Sequence, residues 1–281
     1  MKRRTFLKSS VAACLAAPAL EQTSRAADAK GAREHYELRV YTMKPEKQPI
    51  IDAYLSKAFI PALGRLGIGP VGVFTELSGQ NKAPAAATPA AGATPAPPTG
   101  KLQVYVLIVL KSAEQAATLP ARLAADPEYI KAAGDYWNAP ANDRVYERIE
   151  TSLHAAIAGM PAIAKTETTT NPRVINLRIY ESPSERAAAK KIEMFNEHEL
   201  AIFRKVGLTP LLFGETIIGS KMPNLTYMLH FPDDAARNAA WGKFGGDPDW
   251  KKLSSIPEYT DKELITNITN KILKTTDYSQ I

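Results

Sequence analysis

The sequence predicts an α+β fold: two tandem ferredoxin-like (βαββαβ) units packed sheet to sheet as a barrel-like pseudo-dimer within one chain. Three observations carry this. Leu38-Arg39-Val40-Tyr41 returns 139 positions later as Leu177-Arg178-Ile179-Tyr180. Each copy is followed by a helical apolar pattern that stops at a glycine, Gly67 in one case and Gly207 in the other. Each unit then places an aspartate–proline pair before an acid and an aromatic, Asp126-Pro127-Glu128-Tyr129 and Asp247-Pro248-Asp249-Trp250.

In chain order, residues 1–29 read as a twin-arginine export signal. Arg3-Arg4-Thr5-Phe6-Leu7-Lys8 is followed by a weakly apolar, alanine-rich segment from Val11 to Leu20. A small-x-small end comes next, at Ala17-Pro18-Ala19 or at Ala27-Asp28-Ala29. Periplasmic or extracellular localisation is therefore expected. The sole cysteine, Cys14, lies in this leader, so the mature protein has no disulfide, no thiolate metal ligand and no cysteine nucleophile. Val11-Ala12-Ala13-Cys14 also resembles a lipoprotein processing site, although the apolar run before it is short.

The formal charge of +6 falls to +3 without the leader, which carries five basic and two acidic residues. The remaining charges are interspersed and form no basic stripe, which argues against nucleic acid as a partner. At 281 residues, 45% hydrophobic and 23% charged, the chain can bury two cores. No apolar run is long enough to span a bilayer, so no transmembrane segment is expected in the mature protein.

The first unit occupies residues 30–160. Tyr36, Leu38 and Val40 alternate with Glu37, Arg39 and Tyr41, the period of a strand. Ile50, Ile51, Tyr54, Leu55, Phe59, Leu63 and Leu66 then recur at helical spacing, after Pro45 and up to Gly67. Strands are predicted over Val71–Leu77, Leu102–Leu110 and Arg144–Leu153, with helical sequence from Ala113 to about Ala133. Residues 80–100 form an Ala/Pro/Thr tract that cannot build a core and reads as an insertion. A linker over residues 161–172 follows.

The second unit, residues 173–281, runs in parallel. A strand over Val174–Tyr180 leads to a helix over Ser184–Val206, then strands over Leu211–Ile218 and Leu225–Phe231. An N-capping Asp247 with Pro248 at the first helical position repeats Asp126-Pro127. A last strand is predicted over Ile265–Leu273.

In such a unit both helices cover one face of the sheet. Two bare faces can then bury each other, giving a barrel-like pseudo-dimer with a pocket between its halves. On this reading Leu38, Val40, Leu177 and Ile179 point at the helices. Arg39, Tyr41, Arg178 and Tyr180 point into the seam, where guanidinium groups suit an anionic or polar aromatic ligand. The alternative is that each arginine pairs with a nearby carboxylate, Glu76 or Glu215, to hold the halves together.

These residues also carry a family resemblance. Tyr36 to Thr42, Leu66-Gly67-Ile68, the two aspartate–proline–acid–aromatic motifs, Phe203-Arg204-Lys205-Val206-Gly207-Leu208 and Met222-Pro223-Asn224-Leu225-Thr226-Tyr227-Met228-Leu229 resemble the NIPSNAP family. The resemblance covers nearly the whole mature chain, twice over, and implies a dimeric α/β-barrel fold, here within one chain. The family has no settled activity, so it brings no catalytic residue. Its wider superfamily includes cofactor-independent monooxygenases and haem-degrading enzymes, a likeness of fold only.

The chain offers little recognisable chemistry. Its four histidines, His35, His154, His198 and His230, form no pair at metal-ligand spacing, and no metal or cofactor is expected. There is no G-x-S-x-G, P-loop or G-x-G-x-x-G. Asn196-Glu197-His198-Glu199 reads as a solvated helix face or, alternatively, a polar site. His230 ends a strand, where it is either a proton shuttle or a satisfied polar terminus. Trp137, Trp241 and Trp250 read as packing anchors.

The expected function is binding of a small molecule or protein partner in the seam, with Arg39, Tyr41, Arg178, Tyr180 and His230 as ligand-binding residues. The rival is a monooxygenase or haem-handling enzyme using the same cleft. A homo-oligomer through edge strands or helices is left open.

Overall fold

The computed structural model describes residues 33–77, 100–166 and 173–281. The predicted leader, almost all of the 80–100 insertion and half of the linker lie outside the described residues.

Strand β1 (His35–Met43) leads through a 3-10 turn (Pro45–Lys47) into α1 (Gln48–Tyr54), a π-helical turn (Leu55–Phe59) and α2 (Ile60–Arg65). Gly67 ends this helix at φ +67°, a conformation that a side chain resists. Strands β2 (Val71–Glu76) and β3 (Leu102–Leu110) follow, then α3 (Ala113–Ala124), α4 (Pro127–Ala132), α5 (Gly134–Trp137) and β4 (Arg148–Ala156). The second half repeats the order. It comprises β5 (Val174–Glu181), α6 (Glu185–Met194), a π-helical turn (Phe195–Glu199), α7 (Leu200–Val206), β6 (Pro210–Ile218) and β7 (Asn224–Phe231). Then come α8 (Asp234–Gly246), α9 (Pro248–Ser254), α10 (Asp261–Leu264) and β8 (Asn267–Thr275). Gly207 caps α7 at φ +86°.

Both aspartate–proline motifs cap helices as predicted. The Asp126 carboxylate accepts from the Tyr129 N–H, and that of Asp247 accepts from Asp249 and Trp250. Strands β4 and β8 begin later than the apolar pattern suggests. Val145 and Ile265 are buried in the helix-side cores rather than in the ladders.

Strand order is β4-β1-β3-β2 in the first half and β8-β5-β7-β6 in the second. The halves join edge to edge, β2 with β8 and β4 with β6, so all eight strands close into one antiparallel barrel. A barrel was the expectation; the structure adds that the halves join through their strand edges. Each half alone would leave two strand edges with unpaired N–H and C=O groups, and ring closure pairs them.

Three cores result. Two lie between sheet and helices, one per half; the third fills the barrel and includes Tyr36, Leu38, Phe74, Leu107, Leu177, Met228 and Leu273. Trp241 and Trp250 pack on the second half's helix-side core, whereas Trp137 is half exposed and anchors little.

Candidate functional site

Along most of the barrel the inward side chains are apolar, but at one end they turn polar. Gln103, Tyr105, Ser152, Thr226, Thr269 and Lys271 face one another there around a cavity of about 270 Å³. Leu38, Val40, Leu177 and Ile179 supply its apolar wall. Both halves line it, so the predicted pocket between the repeats is present. Its residues, however, are different ones.

One side of the cavity holds a hydrogen-bond chain whose proton positions follow by elimination. The Asn224 amide donates to the carbonyls of Ser220 and Lys221, which turns its Oδ1 towards Thr216 (2.6 Å) and Thr226 (3.0 Å). Thr216 gives its only hydrogen to that oxygen, so it accepts from the His154 Nδ1–H at 2.9 Å. His154 Nε2 is then the acceptor for the Ser152 hydroxyl, also at 2.9 Å. Burial lowers the His154 pKa to about 4, which keeps the ring neutral at pH 7, as this chain requires.

Gly214 of β6 and Gly219 just after it make room for these side chains. A Cβ on Gly214 would lie 2.7 Å from the His154 Cβ, and one on Gly219 would lie 2.8 Å from the Ser152 Cβ. On the other side Lys271 of β8 donates to Glu76 of β2 at 2.7 Å, an ion pair across the seam. The Tyr105 hydroxyl meets the same Glu76 oxygen at 3.0 Å. Burial, reinforced by that carboxylate, raises the phenol's pKa and keeps it protonated.

None of the five residues expected at the seam lines this cavity. Arg39, Tyr41, Arg178 and Tyr180 project from the opposite face of their strands, under the helices; Leu38, Val40, Leu177 and Ile179 face inward. The directional expectation is thus reversed. Alternation separates the two faces of a strand without saying which face meets the helices, and here both faces are buried. The barrel interior accepts compact aliphatics, while the space under the helices surrounds each guanidinium with aromatic rings.

Arg39 pairs with Glu37 of its own strand, Nε to Oε1 at 2.6 Å and Nη2 to Oε2 at 3.2 Å, and its guanidinium lies 5.2 Å from the Phe59 ring. It therefore pairs with neither Glu76 nor Glu215. Tyr41 packs edge-on against Tyr146. Arg178 is 6% exposed, lies 4.7 Å from Trp241 and 5.2 Å from Tyr180, and leaves its buried Nε without a hydrogen-bond partner. Tyr227 donates to the Tyr180 hydroxyl at 2.8 Å. His230 is near the opposite end of β7 from Asn224, half-buried, where burial and then Arg173 lower its pKa.

The Asn196–Glu199 stretch is only partly a solvated face. Glu197 and His198 are exposed, but Glu199 is buried and pairs with the equally buried Lys191 at 3.1 Å. Sequence reasoning passed over His154, Ser152, Thr216 and Lys271. Their inward positions are readable from strand alternation, yet the sequence gives no sign that these strands meet around one cavity. Among the described residues, no group of three or more His, Cys, Asp or Glu side chains is placed to hold a metal ion.

The sequence model of the NIPSNAP family matches residues 175–280. The match begins at β5 and takes in the Arg178 and Lys191–Glu199 cluster, Thr216, Asn224 and Lys271. An Agrobacterium tumefaciens NIPSNAP family protein of known structure is 23% identical, over 39% of this chain and 98% of its own, with a TM-score of 0.35. Two candidate monooxygenases resemble the whole barrel. One, from Fusobacterium nucleatum, has a TM-score of 0.53 at 8% identity and covers 87% of this chain and 93% of its own. The other, from Lactobacillus acidophilus, has a TM-score of 0.52 at 9% identity and covers 86% of this chain and 93% of its own. At such identities the likeness is one of fold. No curated protein matches by sequence.

Proposed function

We propose that the chain is an exported, internally duplicated NIPSNAP-type protein that binds a small polar molecule in the cavity between its halves. One observation carries the reading. The barrel interior is apolar along most of its length and becomes a ring of hydroxyl, amide, imidazole and ammonium groups only where the cavity opens. Its volume of about 270 Å³ sits near the lower end of small-molecule pockets, roughly 300 Å³. An uncharged or zwitterionic ligand suits it, because Lys271 and Glu76 already neutralise each other. The matching strand orders of the two halves support the duplication, with units over 30–160 and 173–281.

The test is to fill the cavity. A panel of amino acids, polyols and small amides is screened by ligand-observed NMR against wild type and Thr226→Trp. Binders are expected to lose their signal in the variant while its folded spectrum persists; unchanged binding would sink the proposal. The rival reading, a monooxygenase or haem-handling enzyme, rests on fold likeness alone.

Export rests on the Arg3-Arg4 motif and the alanine-rich segment behind it. Replacing both arginines by lysine is expected to leave the precursor in the cytoplasm, read by fractionation. Undiminished export would exclude the twin-arginine route.

A further inference from the structure

The ring of strands is closed by two short seams, and one of them leaves a strand edge bare. Strand β4 pairs with β1 from Arg148 to Ala155, whereas β6 meets its other edge only from Leu153 to Ala156. A bulge at Ile217 shifts the register there, and the chain turns away from β4 after Gly219, beside Ser152. Arg148, Ile149, Glu150 and Thr151 are exposed, with no strand on that side among the described residues.

The surface beside this edge is apolar. Six large hydrophobic side chains are exposed among the described residues. Four of them, Ile149, Ile217, Ile218 and Met222, belong to β4, the end of β6 and the turn that follows. A free edge flanked by exposed aliphatics is a template for another strand unless something covers it.

The charges on the edge decide what fits. Ser152 and His154 point into the barrel, so alternation puts Arg148 and Glu150 on that face and Ile149 on the outer one. A second copy joining edge to edge does so antiparallel, about a two-fold axis perpendicular to the sheet. Such an axis keeps each face on its own side, so it passes through one residue and its copy. Centred on Arg148 it sets two arginines opposite each other, and centred on Glu150 two glutamates. Centred on Thr151 it runs into Leu153, which β6 already occupies. Centred on Ile149 it sets Arg148 opposite the partner's Glu150 twice over and brings the two isoleucines together.

We propose that β4 is the interface of a homodimer, paired antiparallel with the partner's β4 about Ile149, so that one sheet runs from barrel to barrel. Glu150 also lines the seam cavity. The partner's Arg148 therefore arrives at the cavity rim and closes the stretch of wall that β6 leaves open. This last step rests on the proposal for the cavity; the dimer itself does not.

Sedimentation velocity of the full chain over a range of concentrations reads its mass with no ligand present. Wild type is expected to be a dimer. Glu150→Arg and Arg148→Glu each set like charges opposite one another and are expected to raise the dimer Kd at least about tenfold. The double variant Arg148→Glu/Glu150→Arg is expected to recover the dimer, because the swap restores both pairs in this register and in no other. All three change only exposed side chains, and thermal melting checks that they stay folded. Directly opposed Cβ atoms in a ladder lie about 5 Å apart. In a Cys14→Ser background, Ile149→Cys is therefore expected to form an intermolecular disulfide on oxidation, whereas Ile256→Cys, at an exposed isoleucine elsewhere, is not. A monomeric wild type, a double variant no tighter than the single ones, or no cross-link through Ile149→Cys would overturn the proposal.

Discussion

A histidine enclosed between two hydroxyl groups inside a barrel has lost the water that would solvate its cation, and His154 is such a case. The unfolded chain, with an ordinary value of 6.5, takes up a proton that the folded chain refuses until about pH 4. The stability contributed by neutral His154 is therefore fully present above pH 6.5 and is lost as pH falls through that window. The interval corresponds to about 3 kcal/mol. Urea unfolding of wild type and His154→Gln between pH 7 and about 4 checks this, with the variant expected to lose less stability on acidification. Parallel losses in the two proteins would mean that the imidazole accepts a proton without penalty. The same residue shows the limit of sequence reading. Ser152 and His154 plainly share one face of a strand, but their partners Thr216 and Asn224 come from strands more than sixty positions away.

At the scale of elements, both long helices form where their apolar spacing predicts, but that spacing carries no trace of the π-helical turn in each. One extra residue inside an apolar pattern leaves the period almost intact, so only coordinates reveal it. The C-terminal tail was likewise unreadable as structure. Gln280 donates to the Val71 carbonyl at 2.9 Å and its side chain accepts from the Val71 N–H, while Ser279 accepts from Val73. The tail extends the pairing of β2 beyond the reach of β8, and Ile281 enters the apolar barrel core beside Gly72. Ile281 is buried, so Ile281→Ala is expected to cost about 2 kcal/mol, the lower end of the range for truncating a buried isoleucine. Chemical denaturation measures it; a change under about 0.5 kcal/mol would mean that the tail packs without contributing.

For the whole molecule, the order of strands and helices and the barrel agree with what the doubled Leu-Arg-aliphatic-Tyr strand led one to expect, because a repeat constrains topology more than any single element does. It did not say which strand edges meet. Alternating residues specify two faces, and a closed barrel and two stacked sheets both bury two faces. The choice between them lies in edge pairing, which leaves no periodic trace. The same ambiguity sent Arg178 to the wrong side in the sequence reading and hid the seam cavity behind apolar residues such as Leu38 and Leu177.

Ring closure also imposes an order in time. Strand β8 completes the second half and meets β2 of the first, with Glu76 opposite Leu273 across 197 positions (273 − 76 = 197). Thr269 and Lys271 reach the cavity from that same strand. A nascent chain can therefore assemble most of its first half early, yet it has no complete cavity until β8 has docked. Any occupant would have to wait until β8 has paired with β2, so occupancy would double as a report that the ring has closed.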